Sequence, residues 1–145
     1  MYDDLLLPVA PDGETNAAIP HAKSLAERYD ATVHVVSAVD TLERTKDGTR
    51  IGSLAERVES AARNRVESVT ADLEEAGIDV VGSVVRDEPL DAIENAIEAA
   101  GADLVLMPTH ARTGLQRVLL GSITEKVVRI APVPVVTVPM DGRGD

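Results

Sequence analysis

The chain has 145 residues and no cysteine, which suits one domain and excludes disulfides, thiolate metal centres and cysteine nucleophiles. A formal net charge of −11 argues against sequence-independent binding to nucleic acid or anionic lipid, and the lack of Phe and Trp removes the usual base-stacking platform. Lysine supplies only three of the 14 basic residues, an acid-rich and lysine-poor balance like that of proteins from salt-loving organisms.

The opening Met1-Tyr2-Asp3-Asp4 has neither the basic segment nor the apolar core of a secretion signal. Apolar runs are strand-sized throughout, too short for a membrane helix, so a cytoplasmic protein is expected. Leu5 to Val9 is the first strand. Ala17 to Tyr29 is helical, with Ala22 and Leu25 on one face and Pro20 in its first turn. Thr32 to Val36 is the second strand. Thr41 to Gly52 reads as a polar loop. Leu54, Val58, Ala62, Val66, Val69 and Leu73 recur at helical spacing and predict a long amphipathic helix. Val80 to Val85, interrupted by Gly82, is the third strand. Asp87-Glu88-Pro89 opens a helix with Asp87 as its cap and Leu90, Ile93 and Ile97 as its buried stripe. Asp103 to Met107 is the fourth strand, Ser122 to Ile130 the last helix, and Val133 to Val138 the fifth strand, with Pro134 inside it. Residues 1–140 make one domain, and the tail from Asp141 to Asp145 is expected to fray.

Strands alternating with helices, each strand apolar on both faces, describe a doubly wound parallel α/β sheet with right-handed crossovers. Such sheets bind ligands beyond the carboxyl ends of their strands, where the winding reverses. The connections after the first and fourth strands meet there. That argument gives a location and no chemistry.

Residues 108–130 carry Arg112, Arg117, Lys126 and Arg129 against the single acid Glu125, a positive island in a negative chain. Gly121-Ser122 opens a helix after a strand and a loop, an arrangement whose free N–H groups suit phosphate. Ser122 and Glu125 also have capping-box spacing, and Lys126 and Arg129 suit the end of their own helix, so an anion site and plain helix termination both fit. His110 follows the fourth strand without a visible nucleophile to serve. His34 and His21 read as packed or surface residues, and the three histidines lack metal-ligand spacing. Asp3, Asp4 and Asp12 have turn and cap roles open to them. No catalytic residue and no metal site is assigned.

Met107-Pro108-Thr109-His110-Ala111-Arg112-Thr113-Gly114, followed by Val118-Leu119-Leu120-Gly121-Ser122-Ile123-Thr124-Glu125-Lys126-Val127-Val128-Arg129, resembles the signature of the universal stress protein (UspA-type) family. The ending Ala131-Pro132-Val133-Pro134-Val135-Val136-Thr137-Val138, the opening Met1 to Val9, the helix segment Ala26-Glu27-Arg28-Tyr29 and Val39-Asp40 match as well. The resemblance implies a Rossmann-like sheet of order 3-2-1-4-5, of the adenine nucleotide alpha-hydrolase-like type. It implies a homodimer through the last strand, Pro134 to Val138, and a role in stress response exercised by binding. It implies ATP with magnesium at Pro8, Val9, Ala38, Met107, His110, Gly121, Ser122, Ile123 and Thr124. The family's nucleotide pattern, G-x2-G-x9-G-[ST], is incomplete: Pro108 and Ala111 replace its first two glycines, and Ala10 stands where an aspartate is usual. Pro108 offers no N–H, and Ala111 resists the positive φ that glycine tolerates. A family member that has exchanged nucleotide for protein partners, and an ATP-dependent enzyme on the same fold, are the alternatives.

Overall fold

The computed structural model describes residues 1–11, 16–39, 51–109 and 122–139, with backbone alone for 51–55. They form β1 (Asp4–Pro8), α1 (Ala18–Tyr29), β2 (Thr32–Val39), α2 (Ile51–Glu75), β3 (Val80–Arg86), α3 (Pro89–Ala100), β4 (Leu104–Pro108), α4 (Ser122–Ile130) and β5 (Val135–Val138). All five strands are parallel, in the order β3-β2-β1-β4-β5. Both the doubly wound architecture and the order implied by the resemblance are what the chain adopts.

The triple leucine of β1 shows why the sheet is sandwiched. Leu5 and Leu7 join the core under α1 and α2, while Leu6 points the other way, among Ile93, Ile97 and Val127 of α3 and α4. A strand whose successive side chains are all buried must be covered on both faces. The start of the central pair is pinned by one side chain: the Asp103 carboxylate accepts N–H bonds from Asp3 (3.0 Å) and Asp4 (3.2 Å). The Asp103 N–H in turn donates to the carbonyl of Asp4 at 2.9 Å.

Gly82 is not a weak point in β3. A Cβ built there would lie 2.7 Å from Val66 Cγ1 and 2.9 Å from Thr70 Oγ1, so the missing side chain lets α2 settle directly on the strand. At the end of α3, Gly101 takes the left-handed conformation (φ 63°), and its N–H closes the helix on Glu98 and Ile97.

Several boundaries differ from expectation. Asp87 is not the cap of α3: Glu88 holds that position, and the Asp87 carboxylate accepts only the N–H of Glu88, at 2.9 Å. Pro89, with no N–H to satisfy, sets the helix start one residue later. Pro134 lies before β5 rather than inside it, and its carbonyl accepts the Val105 N–H at 3.0 Å. The polar connection expected to reach Gly52 ends before Ile51, where α2 starts. Its residues 41–50, like the tail from Asp141, lie outside the described residues. The third strand is not covered on both faces: Val81 is 53% exposed, and Gly82 and Ser83 are exposed beside it.

Candidate functional site

The centre of the sheet splits at its carboxyl end, and two prolines account for the split. β1 and β4 are paired only through Leu5 with Leu104 and Leu6 with Val105. Val9 donates to the Val36 carbonyl of β2 (2.8 Å), so strand alternation turns the backbone of Pro8 toward β4. Thr109 donates to the Val138 carbonyl of β5 (2.8 Å), which turns Pro108 toward β1. The next two donors that would have zipped the pair are therefore both missing. Side chains take up the carbonyls instead. Asn16 Nδ2 donates to Pro8 O at 3.2 Å, and Thr124 Oγ1 donates to Pro108 O at 3.2 Å.

A cavity of about 250 Å³ opens in the gap. Its walls are Pro8, Val9, Ala10 and Pro11 after β1, Val36 and Ala38 of β2, and Met107 and Pro108 of β4. The starts of two helices close it: Pro89, Ala92 and Ile93 of α3, and Ile123 and Thr124 of α4. Among these residues no side chain carries a charge. Thr124 alone has a polar side chain, and its hydroxyl is engaged with Pro108. The site is a slot with aliphatic walls, sized for a flat ring, with the first turn of α4 at its edge. No group of three metal-ligating side chains occurs among the described residues.

Of the nine positions assigned from the sequence, Pro8, Val9, Ala38, Met107, Ile123 and Thr124 line this one cavity. Ser122 is exposed and is already the first helical residue of α4. His110 and Gly121 lie outside the described residues, as do Arg112, Arg117 and Ala111. The second half of the expected capping box is absent: the Glu125 carboxylate accepts from Arg129 at 3.3 Å. That pair also absorbs one cation of the positive island into an ordinary exposed i,i+4 contact.

Asn16 was not assigned from the sequence. It is 6% exposed, and its Oδ1 accepts the Ala18 N–H at 2.8 Å while its carbonyl accepts from Ile19 at 3.1 Å. One side chain thus ties the start of α1 to the end of β1. Asparagine before a helix was the available signal. Outside the cavity, His34 Nε2 lies 2.9 Å from Asp4 Oδ1, a pairing between adjacent strands, and His21 is exposed on α1.

Comparison with known proteins agrees with this architecture. Universal stress protein MJ0577 of Methanocaldococcus jannaschii has a solved structure that superposes with a TM-score of 0.81 at 28% identity, covering 100% of this chain and 99% of that one. Two more distant structures share the fold. A universal stress protein in complex with cAMP has a TM-score of 0.69 at 19% identity, over 96% of this chain and 98% of the other. One from Archaeoglobus fulgidus in complex with dAMP has a TM-score of 0.68 at 18% identity, over 94% and 97%. The universal stress protein family model matches residues 1–139. With the strand order, the split at β1 and β4, and a family match over nearly the whole length, this chain belongs to the universal stress protein family.

Proposed function

We propose that this protein binds an adenine nucleotide, ATP with its magnesium, in the cavity between the ends of β1 and β4, and acts in stress response by binding rather than by catalysis. The observation that carries the proposal is the slot itself, with Val9, Ala38, Pro89, Met107 and Ile123 as aliphatic walls at the split of the sheet. Those walls suit the faces of a purine. The first turn of α4 stands at the edge, where the N–H groups of Ile123 and Thr124 suit a phosphate. Ser122 adds a hydroxyl there. The relatives bound to cAMP and dAMP share adenine and one phosphate, which is the part of the ligand this slot fits.

The same residues set the strength of binding. Ala10 brings no carboxylate to the sugar end, and Pro108 brings no N–H to the phosphate end. Each lost hydrogen bond is worth about 0.5–1.5 kcal/mol, so losing two or three weakens affinity by roughly one to three orders of magnitude against a complete site. No acid or base lines the cavity among the described residues, which is why binding is preferred to turnover. The edge strand β5, with Val135 and Val136 half-buried and Thr137 exposed, is the proposed homodimer surface.

Titration calorimetry with ATP and magnesium in concentrated salt tests the assignment, alongside Ala38→Phe, which fills the slot. Saturable heat at high micromolar to millimolar ligand, lost in Ala38→Phe, is expected. No heat at millimolar ligand from folded protein would overturn it and leave the protein-binding alternative, which Ala10 and Pro108 favour.

A further inference from the structure

A helix is about 10 Å across and strands are about 4.8 Å apart, so one helix covers roughly two strands. On one face α1 lies over β1 and β4, and α2 over β2 and β3. On the other, α3 lies over β1 and β2 and α4 runs along β5, so among the described residues no helix lies squarely above β3. The result is a groove of about 420 Å³ between α3 and the edge strand, larger than the nucleotide slot. Val81, Ser83 and Val85 form its floor, and Ala92, Ala96 and Ala99 its wall. Short side chains on α3 leave it deep, and Val81 is 53% exposed within it.

The rim has one sign. Residues 87–100, which run into and along α3, hold five acids and no base: Asp87, Glu88, Asp91, Glu94 and Glu98. Asp91 and Glu98 flank the groove-lining Asn95 at helical spacing and are exposed. The charge argues against a second copy of this chain as occupant. A two-fold contact through the groove would set each α3 acid row against its twin.

We propose that this groove is the docking site for a basic amphipathic helix of a partner protein, its apolar side on Val81, Val85 and the α3 alanines and its lysines or arginines along the acidic rim. The partner supplies a helix where the described residues place none above β3. Binding is steered by charge and held by apolar contact, so it weakens as salt rises and survives in part. The assignment does not rest on nucleotide binding, although Ala92 borders both cavities.

The test uses the intact protein and two synthetic helices of about 18 residues, one of Leu and Lys, the other of Leu and Glu. Fluorescence anisotropy gives affinity, and amide shifts map the contact. The Leu/Lys helix is expected to bind at moderate salt with shifts centred on β3 and α3, and the Leu/Glu helix at least tenfold more weakly. Val81→Lys with Ser83→Lys, both at exposed positions that leave the fold intact, is expected to weaken binding at least tenfold. Glu67→Gln with Glu74→Gln on α2 makes the same change in net charge and is expected to weaken it less than threefold. Equal loss in the two double variants would reduce the effect to general charge and overturn the proposal. Shifts centred elsewhere, equal binding of the Leu/Glu helix, or light scattering in which Val81→Lys with Ser83→Lys splits a wild-type dimer would also overturn it.

Discussion

Replacing Asn16 with alanine removes two jobs at once, and their sum can be worked from the structure. The Oδ1 bond to the Ala18 N–H, at 2.8 Å, satisfies a free N–H at the start of α1 one residue before its cap position, Ala17; losing such a cap-like bond costs about 1 kcal/mol. The Nδ2 bond to Pro8 O, at 3.2 Å, satisfies a carbonyl that its strand partner cannot reach, because Pro108 has no N–H; leaving it without a donor costs about 1 kcal/mol more. Asn16→Ala should therefore lose about 2 kcal/mol. For a domain of this size each kcal/mol moves the melting temperature by about 2–4 °C, so a fall of roughly 4–8 °C is expected. Urea unfolding at unchanged m-value measures the free energy, and calorimetric melting measures the shift. Pro8 and Val9 line the slot, so ligand affinity should fall in the same variant. Asn16→Ser, which keeps a cap acceptor but is too short to reach Pro8, should recover about half of the loss. A change below 0.5 kcal/mol in Asn16→Ala would refute the dual role.

Gly82→Ala should lose about 1–3 kcal/mol through overpacking against Val66 and Thr70, and adding Val66→Ala should recover part of it; an unaffected Gly82→Ala melt would show that α2 does not rest on the strand. The Arg86 guanidinium donates to Glu59 at 2.6 Å and, with Arg63, holds its carboxyl below the usual range. Because the folded value is the lower one, this contribution is present above the ordinary carboxylate pKa and is lost as pH falls through the folded value. Carboxyl NMR titration should place Glu59 low, and Arg86→Gln should return it toward normal; an unchanged titration would contradict the pairing. Val136→Arg on β5 should convert a dimer to monomer in light scattering, and a wild type already monomeric would end the β5 assignment.

The fold was legible because its signals are local and repeated. Strands apolar on both faces, stripes at helical spacing and glycine or proline at their ends each report their own segment. The cap of α3 was misplaced by one residue because Asp87 and Glu88 both satisfy a local rule, and only the position of Pro89 separates them. Covering of β3 was misjudged for a different reason. Val80, Val81, Val84 and Val85 look like a central strand, but the number of helices on each face belongs to the whole sheet and appears in no single segment. Six of the nine site positions converge on one cavity because the resemblance carries spatial information that spacing alone lacks. Asn16 escaped notice because its second bond, to Pro8, depends on an absence at Pro108, a hundred residues away in sequence.

The facing prolines also decide how the site behaves in time. A sheet normally opens by breaking N–H bonds, and a pocket made that way is open only for the fraction of time those bonds are broken. Here the opening is written into the covalent chain, since imino nitrogens have no proton to give up or recover. For the ligand proposed above, strand separation would therefore be no step in entry, and no fraction of the affinity would be spent on populating an open state. The carbonyls that a closing strand would need are already held by Asn16 and Thr124. For the nucleotide binding proposed above, weak affinity resides mainly in fast release, so occupancy would follow ligand concentration.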